Sequence, residues 1–173
     1  ILVLGGSGFL GRSLCEQLVR RHPGAEIVVP TRRVAHAGHL RTLPRLTIVE
    51  ADVHDAATLA ALARGGDAVV NLVAILHGSA AEFDAVHHRL PVTLTRAMHG
   101  AGVRRLVHVS ALGAASYAPS NYLRSKAAGE EALKAGDLAL TILRPSVMFG
   151  LHDRLLNLFA RLQAFVPVLP LAA

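Results

Sequence analysis

Tryptophan is absent from these 173 residues, tyrosine occurs twice and phenylalanine five times, so aromatics make up only 4% of the chain. That scarcity speaks against a nucleic-acid binder, because a basic stripe interleaved with stacking aromatics has nothing to be built from. Acidic residues are outnumbered, 12 against 18 basic, for a formal charge of +6. Every basic residue except Lys126 and Lys134 is arginine, scattered from Arg12 to Arg161 without a block. Such a surface suits an anionic lipid or an acidic partner protein. One cysteine, Cys15, excludes an intramolecular disulfide and fits a reducing, cytoplasmic compartment. No apolar run reaches the roughly 18 residues of a membrane span. No secretory leader is visible, and the chain, opening on Ile1 within an apolar run and closing on VPVLPLAA, reads as a fragment with both ends missing.

What is present is a hydrophobic class of 52%, enough for one substantial core and one domain. Short β-rich runs at 1–4, 26–30, 46–50, 68–74, 104–110 and 138–143 alternate with helical patterns at 9–21, 55–64, 80–101 and 120–135, plus a shorter one at 34–41. This alternation predicts an α/β fold, a Rossmann-type doubly wound parallel sheet with helices on both faces. Asp55 and Ser120 stand where helix N-caps belong. Pro91 falls inside the fourth helical pattern, which must kink or begin there. After Gly150, LHDRLLNLFARLQAF has helical spacing with no strand behind it. The boundaries are a dinucleotide-binding domain over 1–150 and the start of a C-terminal extension over 151–173.

The opening ILVLGGSGFLGRSLCEQL places Gly5, Gly8 and Gly11 between an apolar strand and an amphipathic helix. Gly6, Gly8 and Gly11 also satisfy G-x-G-x-x-G, and the strand-to-helix context makes this a dinucleotide site. Missing side chains let a pyrophosphate approach the free N–H groups and positive dipole of the helix N-terminus. At the end of the second strand, where an acid would bind the ribose hydroxyls of NAD, the text reads VVPTRR. Arg32 and Arg33 there favour NADP(H) over NAD(H). Asp52 and Val53 in ADVHD border the place of an adenine ring. Ten histidines invite a metal reading, but the close sets His36 with His39 and His87 with His88 lack the arrangement of a closed site, and no metal is expected.

GGSGFLG, ADVHD, a strand ending in HVS, YLRSK and LRPSVMFG together resemble, over the whole chain, the extended and atypical short-chain dehydrogenase/reductases of the NAD-dependent epimerase/dehydratase superfamily. More narrowly, YLRSKAAGE with ILRPSVMFGLHDRLLNLFARL is similar to the NADP(H)-carrying accessory-subunit family of respiratory complex I and its bacterial relatives. The string D-R-x-L-N-x-F-A is the most specific part of that likeness. The resemblance implies cofactor contacts from Gly5, Gly8, Phe9, Leu10 and Gly11 at the first turn, from Arg32 and Arg33, from Asp52 and Val53, and from Asn71, Val73, Lys126 and Pro145 further on. It also implies a substrate-binding C-terminal part that is missing here.

Active members of the superfamily use a Tyr and a Lys four residues later, here Tyr122 and Lys126. Four residues apart share a helix face, so the ammonium is expected to lower the phenol's pKa. The third expected catalytic group is Ser110 at the end of the fifth strand, although the usual serine aligns nearer Leu112, which would leave Ser110 touching only cofactor. His87 stands where extended members carry Asn, with Leu90 and Pro91 replacing a small, flexible stretch. Two readings follow: a nucleotide-binding subunit, structural or weakly redox-active, peripheral on the inner face of the inner membrane with a respiratory complex or other protein as partner; or an oxidoreductase or nucleoside-diphosphate-sugar epimerase/dehydratase using Tyr122 and Lys126.

Overall fold

Leu2, Val3 and Leu4 form the first strand, β1 (Leu2–Leu4), and all three are buried, which a strand achieves when helices or loops cover its sheet on both faces. The computed structural model describes residues 1–150, so the helical spacing after Gly150 and the D-R-x-L-N-x-F-A string lie outside the described residues. Around β1 run β2 (Ile27–Thr31), β3 (Leu46–Glu50), β4 (Ala68–Asn71), β5 (Arg105–Val109) and β6 (Ala139–Leu143), all parallel, in the order β3-β2-β1-β4-β5-β6. The winding reverses between β1 and β4, and the carboxyl ends of the strands there open the crevice in which doubly wound sheets bind ligands.

The alternation within β1 assigns the two halves of the core. Leu2 and Leu4 join Leu59, Leu94, Met98, Leu106 and Leu133 under helices α2 (Ala56–Ala63), α4 (Leu90–Gly100) and α5 (Asn121–Lys134). Val3 joins Cys15, Ile27, Val29 and Leu40 under α1 (Phe9–Arg21) and a 3-10 helix over Val34–Leu40. Each fully buried leucine of these clusters stabilises the fold by about 1.5–3 kcal/mol. Cys15 is one of them in function: burial, with the charge of Glu16 adding, pushes its thiol up to about 11, so it packs and does not react.

Both expected N-caps are in place, with Asp55 accepting from Thr58 N–H at 2.7 Å and Ser120 accepting from Leu123 N–H at 3.1 Å. One expectation needs correction and another refinement. β4 ends at Asn71 rather than at 74, because the Asn71 side chain itself accepts the Val73 N–H at 3.1 Å and takes the place of a ladder partner. The long helical pattern is one continuous run within which α4 begins at Leu90, with Pro91 in its first turn. It runs through α3 (Ala80–Asp84), a π-turn over Ala85–Arg89 and then α4. Pro91 has no N–H for the carbonyl of His87 four residues back, and the ladder widens there, with Leu90 N–H bonding to the Ala85 carbonyl. The His87 carbonyl turns toward α5 at Gly129, where an added Cβ would lie 1.9 Å from the oxygen.

Candidate functional site

The glycines of the first turn have separate physical duties. Gly5 has φ +77°, and a Cβ there would meet the backbone of Leu72 and Val73 at 3.1 Å, so the turn after β1 lies against the end of β4. At Gly11 a Cβ would fall 2.4 Å from the Gly5 carbonyl oxygen, so α1 can start only where residue 11 has no side chain. Gly6 is packed on Val29 in the same way, at 2.8 Å. Gly8 differs from all three. It is the exposed N-cap of α1, has ordinary φ −80°, and its Cβ would meet only the Gly5 oxygen at 3.2 Å. Internal packing therefore accounts for Gly5, Gly6 and Gly11, while Gly8 keeps a helix N-terminus bare. No side chain caps that terminus, and the N–H groups of Phe9 and Leu10, both partly buried, have no partner within the helix. A bare, positively polarised terminus at the switch point fits a pyrophosphate.

Beside it, the carboxyl ends of β2, β3 and β4 and the face of α3 through α4 enclose a cleft of about 640 Å³. Arg32 and Asp52 line it together with His54, Ile75, Glu82, Val86, Arg89 and Leu90. Arg33 does not line it, although it is exposed next door, its N–H donating to Thr31 Oγ1 at 3.3 Å. Asp52 accepts from His54 N–H at 3.0 Å, a turn that sets the loop after β3, while Val53 packs against the core. The cleft thus offers a basic side chain, Arg32, and the α1 terminus offers backbone donors.

At β4 and β5 the polar groups turn to one another. Asn71 is buried, and with its oxygen held by Val73 N–H its amide nitrogen donates to His108 Nδ1 at 3.2 Å. One N–H and one lone pair of the Asn71 amide are thus taken up within the protein. His108 carries its proton on Nε2, which is buried with no hydrogen-bond partner among the described residues. Burial, with the charge of Lys126 adding, pulls the His108 pKa down to about 3.

The Tyr–Lys face of α5 shows the same inward turn. Lys126 is 1% exposed and donates to the Val109 carbonyl at 2.7 Å. Burial lowers its pKa to about 8 against the opposing pull of Glu130. Tyr122 packs edge-on to Phe83 at 6.0 Å and to His87 at 5.4 Å. Its phenol is raised by burial, with no offset from Lys126, so the expected lowering is not present in this geometry. Ser110 is buried at the end of β5, its N–H donating to the Leu143 carbonyl at 2.7 Å, and its hydroxyl lies on the Glu130 side, where it helps to hold that carboxyl ionised. Burial pushes Glu130 up, but hydrogen bonds from Arg144 and Ser110 and the charges of Arg144 and Lys134 outweigh it, so the carboxyl lies below its usual range. Arg144 holds both its oxygens, with Nε to Oε1 at 2.8 Å and Nη2 to Oε2. Pro145 accepts from Leu112 N–H at 2.9 Å and ties the end of β6 to the loop before α5. Leu112 itself, like Leu76, Tyr117 and Phe149, is exposed.

His87, which the sequence marked only as a departure from the family pattern, joins these parts. Its Nε2 accepts from Ile75 N–H at 3.1 Å, which leaves the proton on Nδ1 to be donated to Ser125 Oγ at 2.8 Å. Ser125 in turn donates to the Tyr122 carbonyl at 2.8 Å. The ring is neutral, its pKa brought down to about 4 by burial and by Lys126. It clamps the loop after β4 to the helix that carries Tyr122 and Lys126. Its lone clue in the sequence was an aromatic-compatible residue four after Phe83, which stacks on it at 5.5 Å.

Comparison with known proteins agrees with this geometry. The family described as NAD(P)H-binding matches residues 5–152. The chain is 33% identical over 171 residues to the mitochondrial NADH dehydrogenase (ubiquinone) 1 alpha subcomplex subunit 9 of Mus musculus, covering 96% of this chain and 45% of that protein. It is 32% identical over 172 residues to ceramide reductase of Caulobacter vibrioides, covering 98% and 53%. The chain thus spans about half the length of the curated relatives it matches. Among solved structures, a double mutant of dTDP-glucose 4,6-dehydratase from Streptomyces venezuelae with NAD bound superimposes with a TM-score of 0.78 at 29% identity, over 92% of this chain and 60% of that one. Among the described residues, no helix is long and apolar enough to cross a membrane.

Proposed function

The chain belongs to the NAD(P)H-binding family, and from that premise we propose that residues 1–150 hold NADP(H), in preference to NAD(H), mainly as a structural element of an accessory subunit docked on a respiratory complex. On this reading the pyrophosphate lies on the α1 terminus at Gly8, with Gly5 and Gly11 shaping the turn and Phe9 and Leu10 offering their N–H groups. The adenosine end lies in the cleft between Arg32 and Asp52. Residues 151–173 begin the extension that completes the protein. The subunit is peripheral, on the inner face of the membrane that carries its partner.

One observation carries the choice of a structural over a catalytic role. Lys126 donates a hydrogen bond to the Val109 carbonyl, and the Tyr122 phenol is raised by burial. A proton shuttle needs the phenol lowered toward the working pH, and this arrangement does the opposite. A bound nicotinamide ring supplies hydride exchange, so slow redox activity remains compatible with the role. The similarity to the complex I subunit over 96% of the chain supports the choice of partner.

A second reading, an NADP(H)-dependent oxidoreductase or epimerase/dehydratase, is favoured by the Tyr122–Lys126 spacing and by an amine already brought down to about 8. The exposed Leu76, Leu112 and Tyr117 would suit an apolar carbonyl substrate better than a nucleotide sugar. The test is to purify the full-length protein, measure the NADP(H) that it retains, and follow oxidation of NADPH against panels of carbonyls and nucleotide sugars. Retention without turnover supports the structural role. Turnover abolished by Tyr122→Phe overturns it in favour of the enzyme.

A further inference from the structure

We infer that Arg89, on the helical wall of the cleft, is a second arm for the phosphate on the adenosine ribose, meeting Arg32 from the sheet edge; this rests on the NADP(H) reading above. Arg32 and Arg89 line the same cleft although they are far apart in the chain. Arg89 reaches it because Ala85, Val86, Arg89 and Leu90 recur at helical spacing and so present one face, the face that forms the wall. Its guanidinium is held from behind. Nε donates to Asp84 Oδ2 at 2.9 Å, while the other oxygen of Asp84 pairs with His88 Nδ1, also at 2.9 Å. Among the described residues this leaves the two terminal nitrogens of Arg89, with four N–H donors, for a ligand.

Each acidic side chain of the cleft has one carboxylate oxygen engaged by its own local backbone or cap. Asp52 accepts from the backbone of its own turn, and Glu82 accepts from Ser79 N–H and Oγ, both at 2.8 Å, in a capping box. Arg32 has no ion-pair partner among the described residues. A dianionic phosphate between two such forks accepts charge-assisted hydrogen bonds from both sides, whereas an unphosphorylated ribose gives neither guanidinium a charge to meet. Asp84 is a positioning residue in this scheme, since it fixes the angle at which the Arg89 fork is presented.

The test is calorimetric titration of the full-length protein with NADPH, NADH, 2′,5′-ADP and 5′-AMP. Arg89→Ala is expected to weaken NADPH and 2′,5′-ADP by about 10- to 100-fold and to leave NADH and 5′-AMP within about twofold. Asp84→Asn is expected to move the same two ligands in the same direction by a smaller factor. Arg89 is exposed and outside the core, so the variant should melt with the wild type. An unchanged NADPH-to-NADH ratio in Arg89→Ala overturns the role of Arg89 and leaves the NADP(H) reading standing. A wild-type protein that binds NADH as tightly as NADPH overturns that reading itself, and the role of Arg89 with it.

Discussion

The turn between β1 and α1 and the interior between β5 and α5 lie on the same edge of the sheet and treat their polar groups in opposite ways. At the first, Gly8 keeps side chains away, no cap covers the helix terminus and the neighbouring cleft presents Arg32 with no ion-pair partner among the described residues. At the second, Asn71, His108, Lys126, Ser125 and His87 are buried or half-buried and bonded within the protein. One end is organised for a visitor and the other for its own cohesion. On the proposed reading, binding a dinucleotide and turning it over are separable properties, and the first region serves the former.

Acid is the broadest way to break the second region while sparing the first. His87 and His108 are neutral when folded, with pKa values of about 4 and about 3 against 6.5 when unfolded. The unfolded chain thus takes up more protons, and the stability these rings contribute is fully present above pH 6.5 and lost as pH falls through the folded values. Between pH 7 and 5 the loss is about 4 kcal/mol for the two together. Denaturant titration across that range checks it, and His87→Asn should remove about half of the pH dependence.

The next effect is steric. Gly129→Ala drives a Cβ to within 1.9 Å of the His87 oxygen, backbone against backbone, and should cost about 3 kcal/mol, seen as a fall of about 6–12 °C in Tm. Ser125→Ala sharpens the contrast further, since it takes away the acceptor of the His87 proton and should cost about 1 kcal/mol in the same melt, with NADPH affinity nearly unchanged. The smallest effect is expected from Arg33→Ala, which removes a charge beside the cleft but not lining it. NADPH affinity should stay within about twofold in calorimetry, against about tenfold or more for Arg32→Ala.

The first region could be read almost directly from the text. An apolar strand, glycines at 5, 8 and 11 and an amphipathic helix are local features, and the parallel, doubly wound class follows from the alternation of strands with helices. The N-caps Asp55 and Ser120 were legible for the same reason. The second region depends on contacts between residues far apart in the chain. The wide turn before Pro91 brings the His87 carbonyl to Gly129, a residue of another helix, and that contact has no local sign. That Asn71 would close its own strand and bind His108 required β5 to lie beside β4. The i and i+4 spacing of Tyr122 and Lys126 put them on one helix correctly, but the lysine's partner is a strand carbonyl that spacing cannot show. Arg89 went unnoticed because nothing local separates it from other solvated arginines.

The central claim is that the nucleotide is held at the bare helix terminus and not by the tyrosine. NADPH titrated calorimetrically into the full-length protein, into Gly8→Val and into Tyr122→Phe tests it in one set of measurements. Gly8→Val should fold as the wild type does and lose NADPH by about 100-fold or more, while Tyr122→Phe stays within about twofold. Full affinity in a folded Gly8→Val, or its loss in Tyr122→Phe, would contradict the account.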